Sequence, residues 1–231
     1  MALVMFDLDG TLLDTAGEIA ESANRTLDHY QLPRVSVADV RNWIGHGTGW
    51  MMRQAWNSVA QAPSDAQWAK VMEVFIHHYF ECAGSDSKPY PDVLESLGRL
   101  QELGVKRAII TNKECRFTER ILERHGLTSI FDLVISGDTY AVKKPNPTVI
   151  YNCLDALNMS VGESLFVGDS SIDIATAKAA GVLCWAVPYG YNMGQPIETA
   201  APDRIVPTIK EVPLFFLKDL HEVFANDRVA A

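Results

Sequence analysis

Four carboxylates fall in two short clusters far apart in the chain, Asp7-Leu8-Asp9-Gly10-Thr11 and Gly168-Asp169-Ser170-Ser171-Ile172-Asp173. Each follows an apolar run that reads as a buried strand, Leu3–Phe6 and Ser164–Gly168. Side chains two apart on a strand project to one side, so Asp7 and Asp9 can enter one pocket, and Gly10 lets the backbone turn there. Asp169 and Asp173 are four apart, which places Asp173 in the first helical turn after Asp169. Plainer readings stand beside these. The first cluster is a capped turn, or the opening of a calcium loop with Glu18 at its twelfth position, although a strand in front argues against the latter. The second is helix capping by aspartate, which accounts for one carboxylate better than for two. Gathered without a cation, such groups repel, each pair at ~4 Å and an effective dielectric of ~20 costing on the order of 4 kcal/mol. Hard oxygen ligands of this kind suit Mg²⁺. A divalent-metal site joining both clusters is the economical expectation.

Two further segments carry complementary groups. Ile109-Ile110-Thr111-Asn112-Lys113 brings a hydroxyl and an amide just ahead of a helical stretch, where free N–H groups attract anions. A plain cap by Thr111 is the equal alternative. Val142-Lys143-Lys144-Pro145 sets Lys144 against a rigid proline, although a lysine by itself reads as a solvated surface charge.

These groups need a scaffold. The strand-like runs Arg107–Thr111, Leu133–Ser136 and Leu183–Val187 join the first two. Helical patterns lie between them at Val93–Leu103, Glu114–His125, Pro147–Leu157 and Ile172–Ala180, with Gly104, Gly126 and Gly181 as stop signals. That alternation predicts an α/β fold with a parallel sheet covered on both faces, and ligands bound beyond the carboxyl ends of the strands. From Thr15 to Cys82 only helical patterns occur, at Gly17–Tyr30, Val37–Ile44, Gly49–Ser58 and Asp65–Tyr79. A helical unit over 15–82 is therefore expected between two parts of a core, 1–14 and 83–231, with Gly84–Pro89 as the return linker.

Composition narrows the function classes. Of 231 residues, 48% are hydrophobic and 21% charged, which fits a globular chain and excludes a disordered one. Lys and Arg number 20 against 29 Asp and Glu, a net charge of −9 that argues against a nucleic-acid partner. No apolar run approaches the ~20 residues of a membrane span. The run Ala2–Phe6 is cut short by Asp7 and Asp9, too early for a signal peptide. Cys82, Cys115, Cys153 and Cys184 form no C-x-x-C pair, so reduced, buried thiols and a cytoplasmic location are expected. A monomer or a homodimer fits equally.

In this order and spacing, Asp7-x-Asp9-Gly10-Thr11, Thr111, Lys144-Pro145 and Gly168-Asp169-x-x-x-Asp173 resemble the four motifs of the haloacid dehalogenase-like phosphohydrolases. The resemblance spans nearly the whole chain and implies a Rossmann-like three-layer core with a helical C1-type cap over 15–82. Within the family, Trp43-Ile44-Gly45-His46-Gly47, Tyr90-Pro91-Asp92-Val93, Thr111-Asn112-Lys113, Lys143-Lys144-Pro145 and Tyr189-Gly190-Tyr191-Asn192 are similar to the bacterial phosphoglycolate phosphatase branch. The resemblance implies a small phosphorylated metabolite as substrate and Mg²⁺ held by Asp7, the backbone oxygen of Asp9, and Asp169. Asp7 is implied as the nucleophile, ionised at neutral pH if its pKa stays near ~3.9. Asp9 is implied as acid and then base, which calls for a raised pKa from crowding by the other carboxylates. Thr111, Asn112 and neighbouring N–H groups are implied to hold phosphoryl oxygens, Lys144 to add positive charge, and Asp173 to orient a metal water or Lys144.

The 15–82 unit is expected to select the substrate. Gly45-His46-Gly47-Thr48-Gly49 lacks a preceding strand and fails as a dinucleotide fingerprint. It reads equally as a flexible connector or as a backbone-donor loop for a small carboxylate, with Arg41, His46 or Arg53 nearby. Trp43, Trp50, Trp56 and Trp68 read as its core. The rivals are a family phosphatase for a sugar phosphate, nucleotide or pyrophosphate, a β-phosphoglucomutase-like phosphotransferase, and a receiver-like module that accepts a phosphoryl group. The last needs no helical insert.

Overall fold

The computed structural model describes residues 2–217, so the end of the expected core segment, 218–231, lies outside the described residues. β1 (Leu3–Phe6) is fully buried and forms the middle of a six-stranded sheet. Its neighbours are β4 (Lys106–Ile110) and β6 (Ser164–Gly168), both parallel to it, with Phe6 in register with Ile109 and Val167. β5 (Leu133–Ile135) extends one side, and β7 (Leu183–Ala186) and β8 (Arg204–Ile205) the other.

Alternation along β1 divides the core in two. Val4 and Phe6 join one apolar cluster, Leu3 and Met5 the other. The Leu3–Met5 face is covered by α7 (Thr148–Leu157) and α8 (Ser171–Ala180), through Ile150, Leu154 and Ile174. The opposite face meets α5 (Val93–Glu102) and α6 (Cys115–Arg124), through Leu97, Phe117 and Ile121. Each fully buried side chain of this size contributes about 1.5–3 kcal/mol.

Between β2 (Leu13–Asp14) and β3 (Lys88–Pro89) run four helices, α1 (Ala16–His29), α2 (Val37–Arg41), α3 (Thr48–Val59) and α4 (Asp65–Cys82). β2 and β3 pair antiparallel, so the chain leaves and re-enters the core side by side. The linker expected at Gly84–Pro89 is thus partly strand. Two-residue strands such as β3 and β8 carry no readable period. Glu18, buried in α1, accepts backbone N–H bonds from Gly84 (2.9 Å) and Ser87 (3.1 Å). Its carboxylate ties the two crossings together and is not the twelfth ligand of a calcium loop. Val37–Ile44 is helical only to Arg41. Of the four tryptophans expected inside, Trp56 is buried and Trp43 and Trp68 pack partly against the core, but Trp50 is 40% exposed. Cys82, Cys153 and Cys184 are buried free thiols, whereas Cys115 is half-exposed. Among the described residues no helix is long and apolar enough to cross a membrane.

Candidate active site

Parallel strands send their carboxyl ends to one edge, and there the dispersed acids meet. Asp7 continues β1, its N–H donating to Val167 O at 3.0 Å, and Asp169 follows β6 directly. Ser170 caps α8, and the Asp173 carboxylate completes a capping box with it. The capping reading therefore holds for Asp173, while Asp169 remains outside the helix. One carboxylate oxygen from each of Asp7, Asp169 and Asp173 lies within 4.8 Å of the others, and all three residues are buried.

Lys144 enters this cluster as its counter-charge. Its Nζ donates to Asp173 Oδ1 at 2.6 Å and lies 2.8 Å from Asp7 Oδ1. The second approach is off the hydrogen-bond axis, so Asp7 Oδ1 is buried with no donor aimed at it. Burial pushes the Asp7 carboxyl up to about 7, with Lys144 pulling it down and Asp173 pushing it up. The expectation of an unshifted, ionised nucleophile therefore fails for the chain by itself. Burial, then Asp173 and Asp7, push Asp169 well above the usual carboxylate range. Burial works against the Lys144 ammonium, but Asp173 and Asp7 more than offset it and hold its pKa above the ordinary lysine value.

Glycines open the cradle around Asp169. A Cβ on Gly10, whose φ is +88°, would sit 2.4 Å from Asp169 Oδ2, and one on Gly190 only 2.2 Å from it. Asp169 is aimed by Thr11 Oγ1 (2.8 Å to Oδ1) and by the Tyr191 N–H (2.7 Å to Oδ2). Three buried carboxylates with oxygens within 4.8 Å of one another make a hard donor set that fits a small divalent cation.

Asp9 lies beside this cluster in different company. Its Oδ1 accepts from Thr15 Oγ1 at 2.6 Å and pairs with Lys113 Nζ at 2.6 Å. Lys113 was read only as part of a family string. An isolated lysine between a strand and a helix carries the same signal as Lys144, and that signal could have singled it out. Thr11 and Tyr191 stand only inside family strings in the sequence, and Thr15 and Tyr79 carry no signal there, because a buried hydroxyl has no spacing signature.

A cavity of about 30 Å³, counted as space for the centres of water molecules, lies above the acids. Asp7, Asp9, Thr111, Asn112, Lys144, Asp169 and Asp173 all line it. Its far wall comes from the helical insert and is mainly apolar: Ile19, Ile44, Met51, with Gly45, Gly47 and Thr48. Gly10, a candidate substrate contact in the first motif, and the basic residues Arg41, His46 and Arg53 do not line it. Gly10 lies behind Asp169. Arg41 is drawn away by Asp14 (2.6 Å) and the Tyr191 ring (5.3 Å). His46 stacks on Trp50 with centroids 4.8 Å apart, offering only its carbonyl to Lys143. Arg53 lies 3.7 Å over the Trp68 ring and is likewise outside the lining. Asn112 is at the cavity, but its amide donates to Gly45 O (2.9 Å) and Lys144 O (3.0 Å), bracing the insert against the lysine loop.

Comparison with known proteins agrees with this geometry. A family model described as haloacid dehalogenase-like hydrolase matches residues 4–187. The chain is 38% identical over 206 residues to a phosphoglycolate phosphatase of Aliivibrio fischeri, covering 88% of this chain and 91% of that protein. It is 37% identical to a phosphoglycolate phosphatase of Yersinia pestis, with 88% of each chain covered. A crystal structure described as "a predicted phosphoglycolate phosphatase" from Haemophilus somnus superposes with a TM-score of 0.88 at 30% identity, covering 92% of this chain and 96% of that one.

Proposed function

The chain belongs to the haloacid dehalogenase-like hydrolases, and from that premise we propose that it hydrolyses 2-phosphoglycolate to glycolate and phosphate with Mg²⁺. The observation that carries this reading is the convergence of Asp7, Asp169, Asp173 and Lys144 on one buried point at the floor of a cavity. The substrate rests on the curated relatives and on size. The insert residues Ile44, Gly45, Gly47 and Met51 close over the acids from one side, which favours a compact leaving group.

Asp7 attacks phosphorus through a carboxylate oxygen, forming an aspartyl phosphate as the bond to the leaving oxygen breaks. Asp9 gives its proton to the departing alkoxide, then takes one from the water that releases phosphate. Lys144 keeps positive charge against the Asp7 side of the transferring group, and Asp173 holds Lys144 there. Thr111 and the N–H groups after it hold phosphoryl oxygens. Asp7, Asp169 and the backbone oxygen of Asp9 would hold Mg²⁺, which would offset the charge of a dianionic phosphate facing a carboxylate. The insert acts as a cap that excludes water. α3 starts at Gly47, which supplies no side-chain cap, so its first free N–H groups are the insert's donors for the substrate carboxylate.

Comparing kcat/KM over a panel of phosphomonoesters, with and without Mg²⁺, tests this reading. Phosphoglycolate should lead the panel by at least tenfold; a sugar phosphate or nucleotide ahead of it refutes the substrate assignment.

A further inference from the structure

Lys113 is the second ammonium buried at the site, and the reaction as described leaves it without a task. Its Nζ sits 2.6 Å from Asp9 Oδ1 and donates also to the hydroxyl of Tyr79. The lysine's backbone is fixed on both sides, its N–H on Thr111 Oγ1 (3.2 Å) and its carbonyl accepting from Gly137 N (2.7 Å). Tyr79 belongs to α4, the last helix of the insert, and is fully buried between Phe75 and Phe117. The ammonium thus bridges the core residue beside the nucleophile and a rigid ring on the insert.

Both recorded donors to Asp9, Lys113 and Thr15, converge on Oδ1. Oδ2 stands outside both contacts. A carboxylate held by one oxygen at two fixed points has its plane fixed relative to the core.

We propose that Lys113 is a positioning residue that aims Asp9 at the leaving oxygen, and that Tyr79 sets where Lys113 sits, so that leaving-group protonation depends on the seating of the insert. This rests on the phosphatase reading above. In the step concerned, the Asp7 oxygen bonds to phosphorus, the P–O bond to the leaving group breaks, and the Asp9 proton moves to that oxygen, leaving Asp9 ionised. Protonation matters greatly for an alkoxide such as glycolate and little for p-nitrophenolate, which departs unaided. Misaimed acid and general damage therefore separate by leaving group.

The test measures kcat/KM for phosphoglycolate and for p-nitrophenyl phosphate with Mg²⁺-loaded wild type, Lys113→Met, Tyr79→Phe and, as benchmark, Asp9→Asn. Expected is a loss on phosphoglycolate exceeding that on the aryl ester by at least tenfold for Lys113→Met and about threefold for Tyr79→Phe. Equal losses on both esters for the lysine and tyrosine variants, while Asp9→Asn still discriminates, overturn the proposal and spare the reaction. Equal losses for Asp9→Asn as well overturn both. Should Lys113→Met not fold, as judged by circular dichroism, Tyr79→Phe decides alone, since it removes one oxygen and keeps the packed ring.

Discussion

The two walls of the cavity are built on opposite principles. The sheet side concentrates charge: Asp7, Asp169 and Asp173 are all buried, with Lys144 between Asp7 and Asp173. The insert side is mainly apolar with exposed backbone: Ile19, Ile44 and Met51, then Gly45, Gly47 and Thr48. Its basic side chains Arg41, His46 and Arg53 are engaged elsewhere. Chemistry thus rests on the rigid sheet, where desolvation strengthens every charge interaction. In the proposed reaction, selection rests on the shape and N–H groups of the insert. Lys113 joins the two walls through a buried charge.

The sharpest way to break that contrast is to remove charge from the sheet side. Asp7→Asn should lower turnover at least a thousandfold with the fold retained, because the amide keeps the shape and lacks the nucleophile. Chelation by EDTA should silence the wild type, with activity returning on added Mg²⁺. Residual turnover within tenfold of wild type in either case would remove the covalent or the metal-dependent step.

The same residue makes a stability prediction of opposite sign. In the metal-free chain the Asp7 pKa is raised to about 7, so between about 4 and 7 the native state binds more protons than the unfolded one. Stability then falls as pH rises through that window. Metal-free Asp7→Asn should therefore melt higher than metal-free wild type at pH 8 and lose this advantage near pH 4. Melting curves with equal differences at both pH values would contradict the upshift.

Lys144→Met comes next. It leaves Asp7 and Asp173 buried without their cation, and breaking such a pair costs roughly 3–5 kcal/mol. A loss of stability on that order, with turnover down about a hundredfold, is expected from denaturant titration and kinetics. An unchanged midpoint would mean that the acids are already neutral in the folded state.

How far these walls can be read before folding differs just as sharply. The strand runs at Leu3–Phe6 and Ser164–Gly168 are observed where the apolar pattern puts them, since a strand buried on both faces needs an unbroken apolar run. Asp7, Asp9, Thr111, Lys144, Asp169 and Asp173 all reach one cavity because each follows a parallel strand, and such strands end together. The insert's side of the site was misread at Arg41 and His46. Helical periodicity says which face is apolar, but the partner that captures an exposed cation is set by tertiary contacts such as Asp14 and Trp50. Lys113 and Tyr79 were hidden for a related reason, their meeting depending on how α4 packs against α6 through Phe117.

The smallest effects should come from the insert. Met51→Ala removes a buried apolar wall residue and should raise kcat/KM for bulkier monoesters severalfold relative to phosphoglycolate, sharpening the view that this wall selects by shape. Arg41→Ala and His46→Ala should change the ratio of phosphoglycolate to aryl phosphate turnover by less than threefold. The Arg41–Asp14 pair is more than a third exposed, so its loss is worth at most about 1 kcal/mol. His46 loses only a stack on an exposed tryptophan. If either change selectively cut phosphoglycolate turnover tenfold or more, a side chain of the insert would have to swing into the cavity during the reaction. The division between a charged sheet wall and an uncharged insert wall would then hold only for the substrate-free chain.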